Sequence, residues 1–232
     1  MREVVLPLRL GVLSEARVDY KFLLSRGYPR EQALKFVGDR YGLTKAERMA
    51  LYRSTFSKGE VAERARKLVP ISAIGGEPLS VDGFNVLMTV KAALLGYPLI
   101  LCDDGLVRDV LSLFQRVRVG PLMCVALELV LCVLSRYRPR SVAFFFDANV
   151  SRSGEFAAHV RRRLARLGLR GEAQAVKKAD VTTMLHGGVV ASSDSVVVAN
   201  SRRVVDLGGY VASLVAPERI LTIGGKGKPE VP

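Results

Sequence analysis

From about residue 78 onward, short apolar runs alternate with stretches whose apolar residues recur every three or four positions. Apolar runs at 79–81, 98–102, 142–146, 173–176, 189–192 and 220–223 predict strands. Helical spacing predicts helices at 85–95, 106–117, 121–137 and 153–167, and from about Ala179 and Asp206. In 153–167 the stripe is Phe156, Val160, Leu164 and Leu167, with Ser153 as the predicted N-cap. Strands alternating with helices imply an α/β domain with a mainly parallel sheet. The run 142–146 holds no polar residue, as a strand buried on both faces requires.

The first 72 residues carry a different pattern. A helix over 15–25 ends at Gly27, and a second begins at Pro29 and stops near Tyr41 and Gly42. The third opens with Thr44 and Glu47 at capping-box spacing, turns Leu43, Met49, Leu51 and Tyr52 inward and leaves Lys45, Arg48 and Arg53 outside. A charged segment at 61–68 predicts a fourth helix, and Pro70 with Gly75-Gly76 marks a linker. The predicted organisation is a small basic all-α domain over 1–72, then an α/β domain over 73–232 ending in a flexible tail, GGKGKPEVP. The helical region also suits a helix-turn-helix, with generic three-helix packing as its alternative.

Charge sharpens this picture. The chain has 35 Lys and Arg against 22 Asp and Glu, a net +13, which favours a polyanionic partner, above all RNA or DNA. Between Arg136 and Lys178 there are eleven basic residues and three acidic ones, and Arg161, Arg162, Arg163 and Arg166 lie largely opposite the apolar stripe of their helix. Cys102, Cys124 and Cys132 sit in apolar runs without zinc-ligand spacing and are expected to be small buried hydrophobes in a reducing, cytoplasmic compartment. No signal peptide is expected at the start. The apolar run 121–134 falls short of the roughly 20 residues that span a bilayer, so no membrane partner is expected. No phosphate-binding glycine loop appears, and His159 and His186 lack partners for acid–base or nucleophile chemistry.

Four aspartates stand at or near the ends of apolar runs: Asp82 in VDGFN, Asp147 in FFFDA, Asp180 in KKADV and Asp194 in ASSDS. Parallel α/β sheets bind ligands beyond the carboxyl ends of their strands, where short carboxylates reach hard divalent ions. Each aspartate alone reads equally as a helix cap, a turn residue or a charge favouring a helix start. Arg152, in the loop Ser151-Arg152-Ser153-Gly154, and Lys177-Lys178 are placed to meet phosphate.

VDGFNVL, FFFDA, KADV and VVASSDS, in that order, resemble the acidic motifs of PIN-like nucleases, particularly the NYN branch. More closely, LLSRGYPREQALKFVGDRYGLTKAERMALYR, FDANVSRSGE and DVTTMLHG make the chain similar to an uncharacterised archaeal family that joins a small helical basic domain to a PIN-like domain. The resemblance implies a three-layer α/β/α sandwich and one or two Mg²⁺ or Mn²⁺ ions held by Asp82, Asp147, Asp180 and Asp194. It also implies endoribonuclease activity leaving a 5′ phosphate and a 3′ hydroxyl. Substrate contacts are expected from Asn85, Ser151, Arg152, Arg162, Arg163, Arg166, Lys177, Lys178 and Ser193. Many PIN domains have a further acidic residue in an intervening helix. Glu128 is the candidate here, against a solvent-facing role, and Asp103 and Asp104 read as a turn before Gly105. The alternatives are an RNA- or ribosome-associated binding protein without catalysis, or a DNA-binding regulator.

Overall fold

Phe144, Phe145 and Phe146 are all buried in β4 (Ser141–Asp147), so this strand has protein on both faces. In the computed structural model, which describes residues 8–110 and 116–224, β4 belongs to a five-stranded, all-parallel sheet. Its members are β1 (Pro78–Asp82), β4, β5 (Gly171–Val176), β6 (Val189–Ala191) and β7 (Val204–Val205), in the order β5-β4-β1-β6-β7. Side chains alternate along a strand. Phe144 and Phe146 therefore join one core with α5 (Gly83–Leu94), α6 (Pro121–Tyr137), α7 (Ser153–Arg166) and α10 (Leu207–Val215). Ala143 and Phe145 turn to the other face and pack on Ala179 of α8 (Ala179–His186). The fold is α/β, with a mainly parallel sheet flanked by helices and an all-helical N-terminal region.

That region comprises α1 (Leu10–Ser25), α2 (Arg30–Arg40), α3 (Lys45–Ser54) and α4 (Lys58–Lys67). Its core of Leu13, Tyr20, Val37, Leu51 and Phe56 is completed by Ile100, Cys102, Val110 and Ile223. These come from in or beside a second, three-stranded sheet of β2 (Leu99–Leu101), β3 (Val107–Asp109) and β8 (Ile220–Thr222). The helical region and the strands thus share one hydrophobic core. Part of its positive charge is neutralised within the protein: Arg17 and Lys21 pair with the buried side chain of Asp103, Arg64 with the buried Asp104, and Arg48 with Asp39 at the surface.

The capping box of α3 forms as the spacing predicts, and Arg9 adds to it. Arg9 donates to Glu47 Oε1 at 2.8 Å and Oε2 at 2.7 Å, and Thr44 N donates to Oε2 at 2.9 Å. The Arg9 hydrogen bonds are the main reason that the Glu47 carboxyl is held down to about 2, against the opposing effect of burial. Unfolded glutamate titrates near ~4.3, so this stabilisation is complete above that pH and is lost as the pH falls through about 2. Glu47→Gln is expected to lose about 2 kcal/mol at pH 7, after allowance for the half-exposed Arg9, and to converge with wild type near pH 2. Urea unfolding at pH 7, 4 and 2 measures this, and identical midpoints at pH 7 would discount the ion pair.

Three local expectations change. Residues 107–109 form β3, antiparallel to β2, instead of part of a helix over 106–117; residues 111–115 lie outside the described set. The turn at Asp103–Gly105, with Gly105 at φ 81°, sends the chain back along β2 and offers it a strand partner, which overrides the helical spacing. The N-cap of α7 is Arg152, at φ 66°, and Ser153 is the first helical residue with no side-chain cap. Cys102 is buried, its thiol pushed up to about 11 by burial, but Cys124 is half-buried and Cys132 exposed. Cys132 faces out because α6 buries Leu131 and Leu134 on its inner side. The helix α9 (Ser195–Asn200) and the strand β7 had no expectation in the sequence. The expected flexible tail, 224–232, lies outside the described residues from 225 onward. Among the described residues no helix is long and apolar enough to cross a membrane.

Candidate functional site

The strand order locates the site. From β1 the chain winds outward through β4 to β5, then returns to the other side of β1 for β6 and β7. Winding reverses between β1 and β6, and the carboxyl ends flanking such a switch point diverge to leave a crevice. Asp82 ends β1, and the Ser192–Asp194 segment follows β6. Asp147 ends β4, two residues beyond Phe145, the register partner of Asp82.

Asp82 is 7% exposed and stands at the N-cap position of α5, with its carboxylate turned chiefly to Ser192. Its Oδ2 accepts a 2.9 Å hydrogen bond from Ser192 Oγ, which in turn accepts one from Asp194 N at 3.1 Å. Asn85 reaches across from α5, its Oδ1 accepting from Ser193 N at 2.8 Å and from Ser193 Oγ at 3.2 Å. Ser192 is the residue that sequence reasoning missed, left there as the end of a strand; the hydroxyl-rich run Ser192-Ser193-Asp194-Ser195 was the available signal. Gly83 serves close approach. A Cβ there would stand 2.2 Å from the Phe146 ring, so glycine lets the start of α5 lie against β4 and carry Asp82 with it.

Burial is the largest cause raising the Asp82 carboxyl to about 7, and the nearby charges of Asp194 and Asp147 push the same way. These three acids therefore share one electrostatic environment. Asp194 also caps α9, with Oδ1 accepting from Val196 N at 2.8 Å and Val197 N at 3.2 Å. Asp147 Oδ1 accepts from Ala179 N at 3.3 Å and so anchors the start of α8. Asp180 lies in the first turn of α8, next to that anchor. Among the described residues, no three His, Cys, Asp or Glu side chains stand together as a ready-made metal cage. The donors are hard carboxylate oxygens at the carboxyl ends of β1, β4 and β6, with Asp82 buried and Asp147 and Asp194 half-buried. Such a set suits Mg²⁺ or Mn²⁺ held by one or two carboxylates with water and phosphate completing the shell. The residues fit an open, hydrated site better than a closed one.

The basic residues divide between the two ends of the sheet. Lys177 and Lys178 are exposed just after β5, at the carboxylate edge, with Arg152 and exposed Ser151 in the neighbouring loop. Arg152 donates to Glu155 at 2.9 Å. Arg162, Arg163 and Arg166 lie in the last turns of α7, roughly 13–20 Å along the helix from Ser153 at about 1.5 Å per residue. Arg161 bonds the Ala173 carbonyl, and Leu164 packs against the start of β5 at Gly171, so this half of α7 sits toward the opposite edge. Arg163 is held there by Glu128 at 2.6 and 2.7 Å, giving Glu128 a partner far from the aspartates. A separate apolar hollow of about 460 Å³ opens between the two sheets beside Val107, Val205, Tyr210 and Ile220, away from the site.

The family matches divide the chain between its helical region and its α/β part. A family model described as a domain of unknown function, DUF5616, matches residues 71–210, and one described as a protein of unknown function, DUF434, matches residues 12–67. An uncharacterized protein of Methanocaldococcus jannaschii is 34% identical over 197 residues, which cover 84% of this chain and 94% of that one. No solved structure matches. The switch-point carboxylates fall inside the larger match, and the chain belongs to the DUF5616 family.

Proposed function

We propose that this protein is a PIN-like, metal-dependent endoribonuclease that hydrolyses RNA phosphodiesters in the cytoplasm, with Mg²⁺ or Mn²⁺ at the crevice between β1 and β6. The observation that carries this reading is the meeting of Asp82 and Asp194 at the topological switch point, with Asp147 on the adjacent strand. Asp82, Asp147 and Asp194 would hold the ion, with Asp180 at the rim. When bound, the ion supplies Lewis acidity to the phosphodiester and acidifies a water for in-line attack. Ser192 and Asn85 fix the two sides of the crevice by bonding Asp82 and Ser193. Lys177 and Lys178 neutralise the incoming phosphates, with Arg152 at the neighbouring loop. The net charge of +13 favours a polyanionic partner.

Labelled single-stranded RNA incubated with Mn²⁺ is expected to be cut to fragments with 5′ phosphates, and EDTA should stop the reaction. Asp194→Asn should reduce cleavage at least ~100-fold. Lys177→Ala with Lys178→Ala should weaken binding and flatten its salt dependence. A second reading, RNA binding without cleavage, is favoured by the structural work the carboxylates already do: Asp194 caps α9, Asp147 anchors α8 and Asp82 accepts from Ser192. Tight RNA binding, no cleavage with either metal and no effect of Asp194→Asn would establish that reading instead.

A further inference from the structure

We infer that the helical region is a working part of the carboxylate site, through Arg64 of α4 and Arg108 of β3, which hold the backbone on either side of Asp194. The functional arm of this inference rests on Asp194 being a metal-holding residue, as proposed above. Arg108 Nε donates to the Ser193 carbonyl at 2.7 Å, and Arg64 Nη2 to the Ser195 carbonyl at 3.4 Å. The carbonyls immediately before and after Asp194 are thus both held by buried guanidiniums.

The guanidiniums themselves are fixed. Asp104 accepts from Arg108 Nη1 at 2.8 Å and Nη2 at 2.7 Å, and from Arg64 Nη1 at 2.9 Å. The Phe56 ring lies 4.1 Å from Arg64 Cζ and 5.2 Å from Arg108 Cζ, so an aromatic face from the helical core limits their movement. Farther along α4, Lys67 Nζ donates to the Ala199 carbonyl at 2.6 Å near the end of α9. One helix therefore grips α9 at both ends.

This grip answers a local weakness. The helix α9 has six residues, too few to persist without outside contacts, and Asp194 is its cap. If α9 frays, Asp194 moves with it. A divalent ion requires its carboxylates in defined places, and a neighbouring element that holds the ligand-bearing loop sets its affinity. Arg64 and Arg108 are positioning residues: they act on Asp194 through backbone carbonyls without reaching the crevice themselves.

Arg64→Met tests this, since it keeps the apolar stem against Phe56 and leaves Asp104 paired with Arg108. Amide hydrogen exchange at Val196–Val198 of the metal-free variant is expected to speed up at least ~10-fold, while β4 stays protected. Mn²⁺ affinity by calorimetry should fall about 5- to 10-fold. On RNA, kcat should fall with KM changed less than about 2-fold. Leu13→Val is the control; it loosens the helical core without touching the loop, and Mn²⁺ affinity should be retained. Unchanged exchange in Arg64→Met, or equal loss of Mn²⁺ affinity in Leu13→Val, overturns the inference. If Arg64→Met does not fold, Lys67→Met gives the same exchange reading at the last turn of α9. Wild-type protein that binds no Mn²⁺ and cuts no RNA would sink the nuclease reading alone, because metal-free exchange still decides whether the arginines hold the loop.

Discussion

Asp82→Asn is expected to abolish RNA cleavage and, in the same protein, to raise thermal stability at pH 8. Both effects come from burying a carboxylate beside two others. The Asp82 carboxyl is raised to about 7, first by burial and then by Asp194 and Asp147. An unfolded aspartate titrates near ~3.9, so between about pH 4 and 7 the folded protein keeps a proton that the unfolded chain has lost. Stability therefore falls as the pH rises through that window, and above pH 7 the metal-free protein carries the full penalty. Asparagine removes the charge and can still accept from Ser192. The gain at pH 8 should be of the order of 2–4 kcal/mol, or roughly 4–16 °C in Tm for a chain of this size, and should vanish near pH 4. Melting curves in EDTA at pH 4 and pH 8 measure it. Coincident curves at pH 8 would show that Asp82 stores no such strain, whatever the fate of cleavage.

The opposite result is expected at Asp104. Its side chain is fully buried and neutralises two buried guanidiniums, so Asp104→Leu leaves Arg64 and Arg108 as uncompensated charges. Breaking a buried pair from one side costs about 3–5 kcal/mol, whereas replacing all its members by apolar residues is often neutral. Asp104→Leu should thus lose a large fraction of the folding free energy in urea titrations. Combination with Arg64→Met and Arg108→Met should recover most of it. If the single variant unfolds at the wild-type midpoint, the buried network is not contributing to stability as its geometry implies.

Some elements were plain in the sequence because one local signal dominates each of them. The three phenylalanines of β4, the capping box at Thr44 and Glu47, and Phe156, Val160 and Leu164 of the α7 stripe meet no competing local demand and appear where the pattern places them; Leu167, the expected fourth member, is the exposed C-cap beyond the helix end. Segment 106–117 misled because its spacing suits a helix, while the turn at Gly105 and the edge of β2 are tertiary facts. Local pattern also could not show that β6 returns beside β1, which is what brings the Asp194 segment to Asp82. Asp103 and Asp104 looked like turn residues. They do form the turn, but apart from Arg108, four residues beyond Asp104, the cations that pair with them lie dozens of residues away in α1 and α4. Likewise, the arginine row of α7 was visible as a row, but which end of the sheet it faces depends on the direction of the helix.

The shared core beneath the helical region has a consequence for synthesis. Helices α1 to α4 are made before the strands, yet the apolar surface beneath them is closed by Ile100, Cys102 and Val110, and finally by Ile223, translated among the last described residues. A nascent chain therefore keeps part of that surface uncovered until residue 223 has been made. The parallel pairing of β8 with β2 is then the late closure that seals both halves. Slow folding in this protein should track the arrival of β8, and the four helices should gain full protection only when that strand docks.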